Sequence, residues 1–230
     1  MISKKDKNRI KNLFDEISKD YDLMNNIMSF GMHPFIKRKA VSRIPVKINA
    51  RILDICTGTG DMAINLAQKY PDSKIIALDF SEKMLEIAQK KAAKYKNIEF
   101  IQADATKLPF ENDYFDICLI SFGLRNLPDV KEALIEFKRV LKQDGCFSNL
   151  DLGKPNSIFN LLFKPYFFHI VPFLGKIIHG NHCPYKYLPE SNIDFPSQKE
   201  LAELLKELGF REIKNYDYAF GTMAQQIAKR

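Results

Sequence analysis

The sequence has no tryptophan, and its four cysteines form no CxxC pair among 230 residues. Unpaired cysteines argue against a disulfide framework and favour a reducing compartment, so we predict a cytoplasmic protein. The first sixteen residues contain no apolar run, so we expect no secretory signal there. With 46% hydrophobic and 27% charged residues, the composition also excludes a disordered or collagen-like chain.

Positive charge exceeds negative charge, and the excess is unevenly distributed. The chain has 35 basic and 28 acidic side chains, a formal net charge of +7. Residues 1–50 hold 11 basic and 5 acidic side chains, which is +6 of that total. Such a balance is compatible with nucleic acid, with an anionic membrane surface or with a merely solvated face. The excess lies in a predicted N-terminal helical extension, where it would favour peripheral docking on an anionic membrane if the chain acts on an acceptor with a lipid tail.

Short apolar runs alternate with amphipathic stretches over most of the chain. This alternation predicts an α/β fold with a Rossmann-like, doubly wound sheet of about seven strands and an antiparallel last strand. A helical N-terminal extension precedes the sheet, and a helical, aromatic insert precedes the last helix. The predicted strands are Arg51–Cys56, Lys74–Asp79, Ile98–Asp104, Phe115–Phe122, Cys146–Asp151 and an edge pair, Arg211–Tyr218 with Thr222–Ala228.

We find no linker that separates independent domains, so we interpret residues 1–230 as a single domain. Within it we predict a helical cap over residues 1–48, a core over 51–152 that binds the cofactor, and a substrate cap over 153–196. A C-terminal helix and edge strands follow over 197–230.

A glycine loop carries the strongest chemical signal. The run ILDICTGTGDMA, residues 52–63, leads from an apolar strand through Gly58, Thr59 and Gly60 into a helix. Glycines there allow the backbone to turn sharply and approach a ligand closely. Three carboxylates, Asp54, Asp79 and Asp104, end successive strands, and that edge is where open α/β sheets bind ligands. Each carboxylate alone could be only a helix cap or turn residue.

Two cofactors compete for this loop. The run GTGDMA fits a relaxed dinucleotide pattern, but Asp54 stands where that fingerprint usually has an apolar residue. A carboxylate there could instead face the amino group of S-adenosylmethionine (SAM). We therefore expect the amino-acid part of SAM at Asp54 and Gly58–Gly60, its ribose at Asp79 and its adenine at Asp104 and Ala105.

Several longer blocks make a resemblance specific. YDLMNNIMSFGMHPFIKR at 21–38, TGTGDMA at 57–63, SFGLRNLPD at 121–129 and YKYLPESNIDFPSQKELAELLKELGF at 185–210 resemble the ubiquinone/menaquinone-biosynthesis C-methyltransferases of the demethylmenaquinone methyltransferase type. These are class I SAM-dependent methyltransferases. The likeness runs from Phe14 to about Gly221. It departs at Ile36, where the family often has tryptophan, at Gln143–Asp144–Gly145, where it often has two glycines, and in HGNHCPY at 179–185.

The resemblance implies methyl transfer from SAM to a ring carbon of a prenylated quinol, with S-adenosylhomocysteine as the product. It carries cofactor contacts onto Thr59, Asp79, Asp104 and Ala105, and it adds Ser121 to those reached from the residues. Arg125 follows the fourth predicted strand, and we expect it to stabilise phenolate charge or to position a water as base. Alternatively, Arg125 has only a structural role, in an ion pair with Asp104 or Asp129. The candidate substrate residues are Tyr21, Asn25, His33 and Phe167, although helix capping and packing would explain them equally.

Other interpretations stay open. A methyltransferase for another lipophilic acceptor, such as a sterol, fatty acid or phospholipid, would share the cofactor site. An NAD-dependent oxidoreductase and an RNA-binding protein rank lower, and we expect no nucleic acid partner because no aromatic RNA motif is present. We expect no metal, since His179, His182 and Cys183 fit no zinc spacing. His169 is expected to be packed in the core, and the oligomeric state is left open.

Overall fold

A computed structural model describes residues 6–179 and 186–230, and within them one sheet of seven strands forms the centre. The strands are β1 Arg51–Ile55, β2 Lys74–Asp79, β3 Ile98–Gln102, β4 Phe115–Ser121, β5 Leu141–Leu152, β6 Arg211–Tyr218 and β7 Met223–Lys229. Their order across the sheet is β3-β2-β1-β4-β5-β7-β6. The first five strands are mutually parallel, whereas β7 runs antiparallel to both of its neighbours, β5 and β6.

Helices cover both faces of this sheet and one of its ends. They are α1 Lys7–Ile17, α2 Tyr21–Met28, α3 Met32–Arg43, α4 Asp61–Lys69, α5 Glu82–Ala92, α6 Val130–Val140, α7 Ser157–Pro165, α8 Val171–His179, α9 Tyr187–Ile193 and α10 Gln198–Glu207. Local signals set several of their starts. The side chain of Ser81 accepts a hydrogen bond from the amide of Met84 at α5, and Ser197 with Glu200 forms a capping box at α10.

Three apolar clusters hold these layers together. One buries a face of the sheet under α6 and α10, with Phe137 and Leu205 fully enclosed. The second packs α3 and α4 on the opposite face through residues such as Ala40 and Leu66. A third and smaller cluster joins the N-terminal helices to α5 and to the α7–α8 segment through Met24, Met84 and Phe167 among others. The N-terminal helices and the α7–α8 segment therefore share one apolar junction.

The strand order reverses between β1 and β4, and this reversal positions the site. The chain leaves β1 toward one edge of the sheet and leaves β4 toward the other. A crevice therefore opens at the carboxyl ends of these two strands, where doubly wound sheets bind ligands.

The predicted fold class is confirmed, including the strand alternation, the antiparallel edge pair and the two helical additions. Strand β5 is longer than predicted, because it begins at Leu141 and ends at Leu152. The first helix of the core begins at Asp61, directly after Gly60. The division of the chain into a cap, a cofactor-binding core and a substrate cap stays a prediction.

The two prolines and two lysines of the insert do not interrupt its helical course. Helix α7, a π-helical turn over Tyr166–Ile170 and α8 form one continuous helical stretch. The wide π turn directly follows Pro165, whose missing amide would leave a regular α-helix one hydrogen bond short. Among the described residues, Ile158–Ile177 is the one helix whose length and composition would allow it to cross a membrane. His169 is exposed on this helix, so the expected core position is wrong.

The two glycines of the loop after β1 offer a matched test of packing. Both have left-handed backbones, with φ of +56° at Gly58 and +84° at Gly60. A methyl group at Gly60 would lie 2.9 Å from Cβ and 3.3 Å from Cα of Ala88, whereas one at Gly58 would meet nothing within 4 Å. We expect Gly58→Ala to cost about 1 kcal/mol, from the left-handed backbone alone, and Gly60→Ala about 3 kcal/mol, because overpacking is added. Urea unfolding of both variants checks this, and equal losses would contradict it.

Candidate active site

The glycine loop is held open by backbone hydrogen bonds to the neighbouring strand. The amide of Thr57 donates to the carbonyl oxygen of Leu78 at 2.9 Å, and the amide of Gly58 donates to Oδ2 of Asp79 at 2.8 Å. The other carboxylate oxygen of Asp79 accepts the amide of Ser81 at 2.9 Å. Each oxygen thus accepts one amide and keeps lone pairs for a further donor. The Asp79 carboxylate is therefore oriented before any ligand arrives.

Asp54 lies beneath this loop rather than in it. Its side chain is fully buried, and Oδ2 accepts the hydroxyl of Thr57 at 2.6 Å. In the described part of the chain, Oδ1 of Asp54 has no hydrogen-bond partner. Burial raises the pKa of this carboxyl to about 7, even though the Thr57 hydrogen bond opposes the shift. The carboxyl is enclosed beneath the loop, so its contact with the amino group of SAM stays a prediction.

A small cleft at the carboxyl edge of the sheet, the edge cleft, gathers most of the predicted cofactor residues. Its volume is about 100 Å³. Five of the eight predicted residues line it, namely Gly58, Asp79, Asp104, Ala105 and Ser121. The other three, Asp54, Thr59 and Gly60, do not line it.

The sequence did not predict that the first two helices cover the edge cleft. Helices α1 and α2, the N-terminal roof, contribute Lys7, Ile10, Lys11, Phe14 and Tyr21 to the lining. Neighbouring residues Phe80, Ser81 and Met84 complete one wall. The signal available in the sequence was the apolar face of α1, which needs a surface to cover.

Polar contacts fasten the roof to the loops that carry the predicted cofactor residues. Nζ of Lys7 lies 2.6 Å from Oδ2 of Asp104, and Asp15 accepts the hydroxyl of Ser81. On α2, Oδ1 of Asp22 accepts the hydroxyl of Thr59 at 2.6 Å. Lys91 reaches the other oxygen of Asp22 at 2.6 Å. Thr59 therefore binds the roof in this structure and does not line the edge cleft, and its role as a cofactor contact stays a prediction.

A second and larger space, the apolar cavity, lies beside the edge cleft. Its volume is about 340 Å³, and its wall is formed mainly by aromatic and aliphatic side chains of α1–α3, the insert and the end of β5. Phe14, Tyr21 and Phe122 line both spaces, so these three residues form the boundary between them. Polar side chains reach the apolar cavity from Tyr21, Asn25, His33, Arg125 and Tyr187. The structure thus brings together all four predicted substrate residues, because Phe167 also lines this cavity.

Arg125 is anchored by a partner that the sequence did not identify. It lies in a short 3-10 turn, Leu124–Asn126, after β4, and its guanidinium donates to Oδ1 of Asp151 at 2.5 Å. The same nitrogen donates to the carbonyl oxygen of Phe122 at 2.7 Å. The side chains of Arg125 and Asp151 are only 4% and 1% exposed. The alternative considered for Arg125, a structural ion pair, is therefore present, but its partner is Asp151 and not Asp104 or Asp129.

The neighbouring groups stay uncharged at neutral pH. Burial lowers the pKa of His33 well below its usual value, and the nearby Lys37 ammonium adds to this shift. Burial also raises the pKa of Tyr21 to about 12, against the opposing charge of Arg125. The His33 ring packs on Phe122 with centroids 4.8 Å apart. These neutral donors and acceptors are arranged to hydrogen-bond a polar ring at the end of an otherwise apolar space.

Phe167 and the aromatic insert form part of the wall. Phe167 is buried, and its ring stacks on Phe163 with centroids 5.0 Å apart. Within the described residues, no group of three or more histidine, cysteine, aspartate or glutamate side chains is placed to hold a metal ion. His182 and Cys183, considered above as metal ligands, and the side chain of His179 lie outside the described part of the structure.

Comparison with known proteins gives a consistent result. The model of the ubiE/COQ5 methyltransferase family matches residues 1–230. The demethylmenaquinone methyltransferase of Lactococcus lactis is 40% identical, with 100% of this chain and 92% of that protein covered. The ubiquinone/menaquinone biosynthesis C-methyltransferase UbiE of Rickettsia prowazekii is 41% identical, with 94% of this chain and 90% of that protein covered. Among solved structures, a SAM dependent methyltransferase from Aquifex aeolicus has a TM-score of 0.62 at 21% identity, with 84% of this chain and 88% of that chain covered. It therefore shares the fold.

The buried carboxyl of Asp54 predicts a pH dependence of stability. Its pKa is about 7 when folded and about 3.9 when unfolded, so folding favours the protonated form. Asp54 therefore destabilises the fold progressively as pH rises from about 4 to about 7. The amide of Asp54→Asn stays neutral at every pH. We therefore expect its free energy of unfolding, minus that of wild type, to be larger at about pH 8 than at about pH 5. Urea unfolding at both values measures the difference, and a pH-independent difference would refute the assignment.

Asp61 supplies a matched control of opposite sign. Despite the cost of burial, the ammonium groups of Lys37 and Lys91 hold its pKa at about 2. The charged Asp61 carboxylate stabilises the fold fully at any pH above the pKa that it has in the unfolded chain. This stabilisation is lost only as pH falls toward 2. We therefore expect Asp61→Asn to be less stable than wild type by the same amount at about pH 5 and about pH 8.

The Arg125–Asp151 pair predicts a strongly asymmetric mutational response. Asp151→Asn leaves the buried guanidinium without its counter-charge, and we expect a loss of about 3–5 kcal/mol in the free energy of unfolding. The double variant Arg125→Met/Asp151→Asn removes both charges and should recover most of that loss. If the double variant were no more stable than Asp151→Asn, the loss in the single variant would not come from the uncompensated charge of Arg125.

Proposed function

The chain belongs to the ubiE/COQ5 methyltransferase family and is a SAM-dependent methyltransferase, and from this premise we propose that it methylates a ring carbon of a prenylated quinol. The relatives named above are a demethylmenaquinone methyltransferase and a ubiquinone/menaquinone biosynthesis C-methyltransferase. The observation that carries the proposal is the apolar cavity, which has a polar end and meets the edge cleft at Tyr21 and Phe122. A quinol ring with an isoprenoid tail has the same division into polar and apolar parts.

The residues of the edge cleft fit SAM. We propose that Asp79 accepts the ribose hydroxyls, because its carboxylate is oriented by two amides and retains lone pairs. Asp104 and Ala105 would hold the adenine, and Ser121 would complete the wall at the end of β4. Gly58 lines the cleft, and Thr59 and Gly60 continue the loop above the buried Asp54. This loop is suited to the amino-acid part of the cofactor.

SAM would supply a methyl group on a positively charged sulfur, and its transfer would break the carbon–sulfur bond, form a carbon–carbon bond to the ring and leave S-adenosylhomocysteine. The methylated ring carbon would then lose its hydrogen as a proton and the ring oxygen would regain one, which restores the aromatic quinol. The ring carbon becomes nucleophilic when a neighbouring hydroxyl loses its proton. The protein must therefore stabilise a phenolate, bring the ring carbon into line and exclude water.

Arg125 is placed to stabilise that phenolate. Its guanidinium is buried, faces the apolar cavity and is fixed by Asp151, so its positive charge acts in a medium of low dielectric. Asp151 serves as a positioning residue. Tyr21, Asn25 and His33 line the same end and are suited to hydrogen-bonding the ring hydroxyls, while Phe167 contacts the beginning of the tail.

We further propose that the chain works in the cytoplasm, peripherally on the anionic inner face of the membrane. The support is the +6 charge within residues 1–50 and an acceptor whose tail is lipid-soluble.

A direct assay tests the acceptor. Purified protein is incubated with SAM and a reduced, demethylated prenylated naphthoquinol or benzoquinol, and the products are identified by mass spectrometry. We expect one methyl group to be added to at least one of these quinols. Methylation of a sterol, a fatty acid or a phospholipid in place of both quinols would establish the alternative acceptor class.

The charge-free pair variant serves as the control for mechanism. We expect Arg125→Met/Asp151→Asn to reduce turnover at least about 10²-fold, because a buried electrostatic donor is removed. Its affinity for S-adenosylhomocysteine, measured by calorimetry, should match that of wild type. Near wild-type turnover would remove Arg125 from the mechanism.

A further inference from the structure

The helical insert is apolar on two opposite faces. Its inner face, including Phe163, Phe167 and Val171, closes the apolar cavity. Its outer face carries a second set of apolar side chains, and the seven exposed members are Ile158, Leu161, Leu162, Phe168, Ile170, Phe173 and Ile177. A helix that is apolar all round is normally buried in protein or in lipid. Only 17% of the Ile158–Ile177 window is buried within this chain.

The mouth of the apolar cavity opens beside this outer face. Four residues line the cavity and are also exposed, namely Phe30 at 76%, Met32 at 40%, Leu162 at 73% and Phe220 at 69%. Phe220 has a left-handed backbone with φ of +58°, which a bulky residue adopts at a cost, and its ring stacks on Phe159. The fold therefore holds a strained aromatic residue at the rim of the cavity.

The charge of the insert indicates which kind of partner covers its apolar outer face. From residue 152 to residue 189 the sequence contains four lysines and no acidic residue. Lys164 and Lys176 lie on the helix itself, among its exposed apolar residues. A second copy of this chain would bring like charges together, whereas a surface of anionic lipid headgroups over an apolar interior complements both features.

From these observations we infer that the outer face of the helix Ile158–Ile177 and the rim of the apolar cavity form one surface that inserts into an anionic lipid monolayer. The helix lies in the plane of the membrane and does not cross it, because its inner face closes the cavity and the Tyr166 hydroxyl donates to the carbonyl oxygen of Met28 at 2.8 Å. The acceptor enters through the rim directly from the lipid. A cavity of about 340 Å³ takes the ring and the start of the tail, while the rest of a long tail stays in the bilayer.

This inference rests on the proposed function for its acceptor, but its test has a readout that is independent of activity. The variant Leu161→Ser/Phe173→Ser removes two outer side chains that do not line the cavity. The matched control is Ile48→Ser/Ile135→Ser, which also removes two exposed apolar side chains. Ile48 precedes β1 and Ile135 lies on α6, so neither belongs to the insert. Flotation is measured with phosphatidylcholine vesicles, with and without phosphatidylglycerol.

We expect wild type and the control to float with the anionic vesicles and the Leu161/Phe173 variant to bind at least about tenfold more weakly. Replacing Lys164 and Lys176 by glutamine should weaken binding by about fivefold per lysine and flatten its salt dependence. Equal flotation of wild type and the Leu161/Phe173 variant would overturn the inference. So would self-association through this face, detected as a sedimenting dimer that the variant abolishes.

Turnover separates the two proposals. The Leu161/Phe173 variant should methylate a water-soluble, short-tailed quinol as fast as wild type and lose at least about tenfold with a long-tailed quinol embedded in vesicles. Equal loss with both acceptors would overturn the entrance role. If wild type methylates neither quinol, the proposed function fails, and flotation still decides whether this surface binds lipid.

Discussion

The buried ion pair between Arg125 and Asp151 organises the centre of the site. It fastens the 3-10 turn after β4 to β5, and this turn forms part of both the edge cleft and the apolar cavity. Each charge is tolerated away from water only because the other is present. The pair therefore places a fixed positive charge at one end of an otherwise apolar space. That combination makes a polar aromatic ring with a lipid tail a better match than a uniformly polar acceptor.

The N-terminal roof relates the two spaces to each other. Its polar residues attach to the cofactor side, through Lys7 to Asp104 and through Asp22 to Thr59. Its apolar residues pack against the insert, and Tyr21 belongs to both spaces. The same two helices thus complete the edge cleft and one wall of the apolar cavity. The positive charge of the N-terminal residues is used partly in these contacts, in addition to any role at a membrane.

Much of the fold and part of the site could be predicted from the sequence. Strand–helix alternation predicted the sheet, and because parallel strands end at a common edge, Asp54, Asp79 and Asp104 were expected to converge there. Asp79 and Asp104 line the edge cleft, whereas Asp54 is buried beneath the loop, and Ser121 was added by the family resemblance. The partner of Arg125 was not predictable, because Asp151 lies 26 residues away on another strand, and sequence spacing does not show which carboxylate faces the turn after β4. Lys7, Asp15 and Asp22 resemble the solvated charges of any amphipathic helix, so their attachment to the site required the tertiary structure. The acceptor itself came from the family resemblance, since no spacing of residues specifies a quinol.

In the proposed reaction a methyl group crosses from the edge cleft to a ring carbon held in the apolar cavity. This transfer is followed with SAM that carries a carbon-13 methyl group, a reduced prenylated quinol and NMR of the isolated product. We expect a single labelled methyl bonded to a ring carbon, with both quinol oxygens unmethylated. Label on a quinol oxygen, or transfer to a lipid while the quinol is left unchanged, would contradict it.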